Sequence, residues 1–240
     1  MSELKSEKDP DGQNDLSLVD SWAVTISKSG ASTLLPDITE FALDAVTNDG
    51  LLKDFPIVST VVSIYKIGRT LKERSYIKKL MAFLIEIDKG NVDEEKRNEY
   101  IGRITKNKRT IQQELEYVLT LLDRYITEQK AEYCAKIFLA YIYEKIDWNL
   151  FCQFSEVLDR LLPGDMEYLC ESNLKNADRS EMGNCAIQRL YGLGIVQPNE
   201  KPRGYDIKGN AIVTQKDGTY DLTFFGKTLV MIVQNEQKTL

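Results

Sequence analysis

Two dense groups of cations are the first residues in this chain whose types and spacing suggest a chemistry. Lys66, Arg69, Lys72, Arg74, Lys78 and Lys79 fall within residues 66–79 with Glu73 as the one acid. Lys96, Arg97, Arg103, Lys106, Lys108 and Arg109 fall within residues 96–109 with only Glu99 between them. Such density suits an anionic partner: a phosphate backbone, lipid headgroups or an acidic protein surface. The competing reading is a solvated helix face that acidic neighbours neutralise in the fold. All six cations of the first group, together with Arg103, Lys106, Lys108 and Arg109, form the candidate surface for an anionic partner.

Catalytic chemistry finds less support. Histidine is absent, which removes the imidazole general base, the Ser-His and Cys-His nucleophile pairs and His-ligated zinc or iron. Gly226-Lys-Thr228 matches the end of a phosphate-binding P-loop. However, the glycine required five positions earlier is Asp221, whose charge would face the phosphates, so a plain helix start is expected there. Ser172-Asn-Leu-Lys175 has the spacing of a serine acylase motif but lacks that family's other two signatures. The acidic run Asp93-Glu94-Glu95 reads as helix-start chemistry, favourable to the backbone dipole. Cys134, Cys152, Cys170 and Cys185 are scattered, with no C-x-x-C pair, and read as small buried apolar residues. We therefore expect no catalytic residues, no metal and no cofactor, and hence a protein that is not an enzyme.

The composition is that of an ordinary globular protein: 240 residues, 42% hydrophobic and 28% charged, with a net charge of −6. An acidic whole has no global attraction to nucleic acid or anionic lipid, so any such contact must be local. The first ten residues alternate in charge and contain no apolar run, unlike a signal or transit peptide. A reducing cytoplasmic location without disulfides is expected.

The elements that must position these residues follow from apolar periodicity. Residues 1–17 are polar and acidic and read as a flexible tail. Residues 18–32 fit no single pattern, and a helix is expected from Pro36 to Asn48. Asp54-Phe55-Pro56 opens a helix through Ile57, Val61, Leu71, Leu80 and Leu84 to Lys89-Gly90, with Gly68 inside as a bend or break. Its uncharged opening, Phe55 to Tyr65, is far shorter than the roughly 20 residues needed to span a bilayer. Buried bundle helix and membrane-surface segment both remain open for 55–67.

Further helices are expected at 93–104, 108–126, 128–145 and 148–162, with i, i+3, i+4 ladders and short connections, the pattern of an antiparallel helical bundle. Trp22 and Trp148 read as packing anchors. Pro163-Gly164-Asp165 marks a boundary between an 18–162 bundle and a 163–240 module. The module shows helices near 165–175 and 179–192, then short strands at 211–214 and 219–223 around an Asp217-Gly218 turn, then a helix from Phe224 to Val233. That order predicts a small winged-helix-like α+β end. Its second helix, Asp178 to Leu190, sets Arg179 and Arg189 against Asp178 and Glu181. A net charge of zero disfavours DNA as partner.

Two stretches of the chain, covering roughly half of it, resemble the abortive-infection alpha family of bacterial proteins, a group linked to phage defence. The first is Tyr117 to Leu169, with Phe154-Ser-Glu-Val-Leu-Asp-Arg-Leu-Leu-Pro-Gly-Asp-Met-Glu-Tyr-Leu169; the second runs through Leu190-Tyr-Gly-Leu-Gly-Ile195 and Tyr220-Asp-Leu-Thr-Phe-Phe-Gly-Lys-Thr-Leu-Val230. The resemblance implies a winged-helix end and a place in a bacterial or mobile-element defence system. Three functions are carried forward: a non-enzymatic component whose partner is another protein, a membrane-surface effector acting through 55–79, and a nucleic-acid-binding regulator.

Overall fold

The structure is a computed structural model that describes residues 17–27, 55–64, 70–90, 93–170, 181–205 and 211–234. The expected tail up to residue 16, the expected helix at 36–48, Gly68 and Ser172 to Lys175 lie outside the described residues. The protein is mainly helical, with one small antiparallel sheet of two strands. In chain order the elements are α1 (Leu18–Ser27), α2 (Pro56–Ile64), α3 (Leu71–Lys89), α4 (Glu94–Lys106), α5 (Lys108–Arg124), α6 (Glu128–Ile142), α7 (Trp148–Arg160), α8 (Asp165–Cys170), α9 (Glu181–Gly192), β1 (Val196–Tyr205), β2 (Ala211–Leu222) and α10 (Phe224–Val233).

Helix α6 is the hub because its sequence is apolar nearly all round. Ala131, Cys134, Ala135, Ile137, Phe138 and Ala140 are fully buried, and helices of that kind belong in a core. Helices α3, α7 and α10 pack on it. Several starts are set by side-chain caps that satisfy otherwise orphaned amides. Thr70 and Glu73 form a reciprocal capping box at α3, and Asp93, Thr127, Asp147 and Thr223 cap α4, α6, α7 and α10.

The ambiguous stretch after residue 17 is helical as far as Ser27. Its hydroxyls hide the pattern: Ser21 and Thr25 donate to the carbonyls of Ser17 and Ser21, four residues back. The Thr25 hydroxyl also accepts from the Ile57 amide at 3.2 Å, tying the start of α2 to α1. Phe55, Ile57, Val58 and Val61 are buried, so the apolar side chains of 55–61 belong to the core. No helix among the described residues is long and apolar enough to cross a membrane.

The expected hairpin around Asp217-Gly218 is corrected. Residues 211–222 form one strand, paired with a first strand, Val196–Tyr205, that lies in the Gly/Pro-rich run. Pro198 pairs with Tyr220 and Glu200 with Lys216, so Asp217, Gly218 and Thr219 sit opposite Asn199 as an irregularity in the ladder. Turn-forming residues were thus used for a bulge. Pro198 and Pro202 are tolerated because each strand of a two-stranded ribbon has one unpaired edge.

One apolar cluster runs from Leu18 in α1 to Val233 in α10, passing position 163 without a gap. At its centre the Trp22 and Phe138 rings meet edge to face at 5.9 Å, and the Trp22 indole donates to the Tyr100 hydroxyl. The expected burial of all four cysteines is also corrected: Cys134 is buried, Cys152 is intermediate and Cys185 is exposed.

Candidate interaction surface

The first basic group divides sharply. Lys66 and Arg69 lie outside the described residues. Lys79 is only 5% exposed, and its ammonium donates to the carbonyl oxygens of Asp123 at 3.0 Å and Tyr125 at 2.7 Å. Those are orphan carbonyls at the end of α5, where a cation is favoured by the helix dipole. Burial lowers the Lys79 pKa from its ordinary value, and the nearby Asp123 opposes that shift. Lys79 therefore drops out of the candidate surface. Lys72 stands 3.4 Å from the Asp123 carboxylate in an exposed ion pair. Arg74 and Lys78 make no ion pair among the described residues.

The second group is mostly engaged. Lys96 pairs with Glu99 on the same helix. Arg103 lies 5.1 Å over both the Tyr100 and Tyr141 rings and reaches Glu144 at 3.3 Å. Lys108 holds Asp20 of α1 at 2.6 Å, an interaction that, with the Ser17 hydroxyl, lowers the Asp20 pKa. Lys106 and Arg109 are exposed and unpaired among the described residues.

The two groups do not converge. The first meets the C-terminal end of α5 through Lys72 and Lys79, whereas Lys108 and Arg109 open that same helix. Seventeen residues of α-helix separate these ends by about 24 Å. Glu99 aside, the acids paired with the basic runs are Asp123, Glu144 and Asp20, each distant in sequence from its cation.

What remains at the first site is a short face of α3. Leu71, Arg74, Ser75 and Lys78 follow the i, i+3, i+4, i+7 spacing of one stripe. Leu71 is 85% exposed and the stripe contains no acid. Beside it a groove of about 400 Å3 runs between α3 and α5, lined by Tyr76 and Leu119 and by Lys72, Glu73, Asp123 and Arg124. An apolar side chain flanked by unpaired cations, next to a groove, is suited to a partner carrying both apolar and acidic groups.

A buried polar cluster at the α4, α5 and α6 junction escaped the reading of the sequence. Glu114 is 6% exposed; the Tyr141 hydroxyl lies 2.9 and 3.0 Å from its two carboxylate oxygens and donates to it. Burial raises the Glu114 pKa, while Tyr141 and Arg103 act in the opposite direction. Glu144, the acid that engages Arg103, has a positive φ of 59°, a conformation uncommon outside glycine. Nη2 of Arg103 is buried without a hydrogen-bond partner among the described residues. The sequence carries one signal for this cluster: Glu114 occupies the apolar stripe of α5, between Ile111 and Leu115.

Two motif positions are explained by packing. A Cβ at Gly226 would lie 2.1 Å from the Ile195 carbonyl oxygen, so Gly226 lets α10 press onto the start of β1, and its amide is already bonded to Thr223. Arg189, in the helix read as a possible DNA reader, is held by the buried Asp165 at 2.7 and 3.2 Å. Among the described residues no group of three or more acids and cysteines could hold a metal ion. Comparison with known proteins gave no match: no family model, no curated protein and no solved structure aligns with this chain.

Proposed function

We propose that the protein is a non-catalytic component of a bacterial or mobile-element defence system, and that it works by binding another protein. The observation that carries the interaction role is the α3 stripe, where an 85% exposed leucine stands beside two cations left without ion pairs among the described residues. The defence setting rests on the resemblance of residues 117–169 and 190–233 to the abortive-infection alpha family. The order α8, α9, ribbon, α10 supports a winged-helix-like reading of the C-terminal end. Its role is in protein contact, because Arg189 is already committed to Asp165.

The test combines Leu71→Ser, Arg74→Gln and Lys78→Gln in one chain. In a bacterial host challenged with phage, the unaltered protein should lower plaquing efficiency and the triple variant should lose that effect while melting normally. Neither duplex DNA nor anionic vesicles should bind the unaltered protein at physiological salt. DNA binding lost in the triple variant would replace this reading by nucleic-acid regulation.

A peripheral membrane role is the second reading, favoured by the exposure of Ile64 and Leu71 beside basic residues. Weighing against it, the apolar side chains of 55–61 are spent on the core. Sedimentation with anionic but not neutral vesicles would establish it.

A further inference from the structure

The two edges of the β1–β2 ribbon differ, and proline sets the difference. β1 carries Pro198 opposite Tyr220 and Pro202 opposite Thr214. A proline has no amide to give to a ladder, so in an antiparallel pair it belongs where the backbone groups point away from the partner strand. That direction alternates along a strand, so Glu200, two residues from each proline, points outward as well. Of the outward positions 198, 200 and 202, only Glu200 keeps a donor, and the outer edge of β1 is blunted against further pairing.

Residues opposite outward positions also face outward, but β2 has no proline from Ala211 to Leu222. Thr214 and Lys216 therefore present intact amides and carbonyls along the outer side of β2. Among the described residues the sheet has no third strand to take them.

The base of the ribbon is anchored, since Val196 is buried and Tyr220 and Leu222 pack against the core. Beyond the irregularity at 217–219, residues 200–205 and 211–216 run on as two strands for about 20 Å. A two-stranded ribbon alone is at best marginally stable in water. Its open edge is Ala211-Ile-Val-Thr-Gln-Lys216, a run of strand-favouring residues with a single charge. An open edge of that composition is a template for another strand.

We propose that the outer edge of β2 pairs antiparallel with the same edge of a second copy of this chain. A two-fold axis at Gln215 sets Thr214 of each copy opposite Lys216 of the other, the arrangement in which the outward groups of both strands meet. The one charge of the run then faces a threonine, and no like charges are opposed. The edge asymmetry selects this occupant. The product is a four-stranded sheet in the order β1, β2, β2, β1, and both of its outer edges are proline-bearing. A second copy thus brings its own blunted edge with it, and assembly closes at two.

The test is the assembly state of the full chain by sedimentation velocity from about 5 to about 500 μM, a range suited to an interface smaller than the roughly 1,200 Å2 at which stable ones begin. A monomer–dimer equilibrium is expected, with nothing larger. Two proline variants on one rung separate the edges, because Glu200 pairs with Lys216. Lys216→Pro should raise the dimer dissociation constant at least tenfold, and Glu200→Pro, on the far edge, should leave it within about twofold. Equal loss in both, or loss in neither, would overturn the proposal. A second readout needs no variant: amide exchange followed by NMR should slow at Thr214 and Lys216 as concentration rises, and stay constant at Glu200. A monomer throughout, species larger than a dimer, or exchange independent of concentration would each refute it. The inference does not rest on the α3 surface and shares no residue with it. Leu71→Ser, Arg74→Gln, Lys78→Gln combined should dimerise normally; a monomer there would move the interface to α3, removing the ribbon proposal and leaving the α3 reading standing.

Discussion

The two basic runs are twins in sequence, each with six cations and one acid, yet the fold uses them differently. In the run on α3, one lysine is withdrawn into the protein to cap α5 while Arg74 and Lys78 stay unpaired at the surface. In the run at the α4–α5 corner, Arg103 is sandwiched on tyrosines and Lys108 is tied to α1. Each run leaves two cations unpaired among the described residues, Arg74 and Lys78 in the first and Lys106 and Arg109 in the second; the first run spends Lys79 on one buried cap, and the second spends Arg103 and Lys108 on contacts between helices. Charge density along a chain locates cations, and their helix phase and long-range neighbours decide what those cations do.

Lys79 gives the sharpest break of that comparison. Lys79→Met keeps the apolar stem but leaves the carbonyls of Asp123 and Tyr125 without their donor. Each unsatisfied buried group costs about 1–3 kcal/mol, so urea unfolding should show a loss of about 2–4 kcal/mol. Arg74→Gln and Lys78→Gln, on the same helix, should change stability by less than about 0.5 kcal/mol. Equal effects at all three would erase the distinction between the buried and exposed parts of the run.

The α4–α5 corner should respond next, through its hidden acid. Tyr141→Phe removes the hydroxyl bonded to Glu114 and should cost about 1.5–3 kcal/mol at neutral pH, the worth of a hydrogen bond to a charged group. Because burial raises the Glu114 pKa, the folded chain holds this proton more tightly than the unfolded one. Its contribution therefore becomes less favourable as pH rises from the ordinary value of 4.5 through the raised folded value. Glu114→Gln should gain on the unaltered chain over that window, and parallel stability curves for the two would refute the assignment.

How much of this was legible depends on range. The ladders of α4 through α7 and the apolar stretch of α10 were readable because local periodicity and caps specify them. The ribbon is placed differently because Asp217-Gly218 carries the same chemistry for a turn as for a bulge, and only the pairing of the flanking residues with Pro198 and Glu200 distinguishes them. Helix α1 was obscured by hydroxyls that bond within the helix itself. At the candidate surface the cations were legible but their fates were not, since Asp123, Glu144 and Asp20 are all far from them in sequence. Phe224 and Phe225 are alike in type, but the turn of about 100° between neighbouring helix positions leaves Phe224 exposed and packs Phe225 on Phe154.

Arg103→Lys probes the tyrosine sandwich more gently. Lysine keeps the charge and can still reach Glu144, but loses the planar stacking on Tyr100 and Tyr141. A cost of about 1 kcal/mol is expected, read from the urea midpoint at fixed slope. A neutral outcome would mean that the charge alone matters at this corner, making it more like the α3 face than the structure indicates.

The smallest effect belongs to Lys108, and its salt dependence is the useful part. The pair with Asp20 is exposed on both sides, with side chains 57% and 43% accessible, and such pairs contribute about 0.2–1 kcal/mol. Lys108→Ala should therefore cost no more than this at low ionic strength. Near 1 M salt, where the screening length falls to about 3 Å, the difference should vanish. Since Lys108 is the largest cause holding the Asp20 pKa below its ordinary value, the unaltered chain should lose this increment as pH falls through the lowered Asp20 pKa. In Lys108→Ala that acid-side loss should be smaller. A salt-independent cost above about 1.5 kcal/mol would instead mean that the lysine stem packs between α1 and α5, and Lys108 would then be a structural joint as Arg103 is.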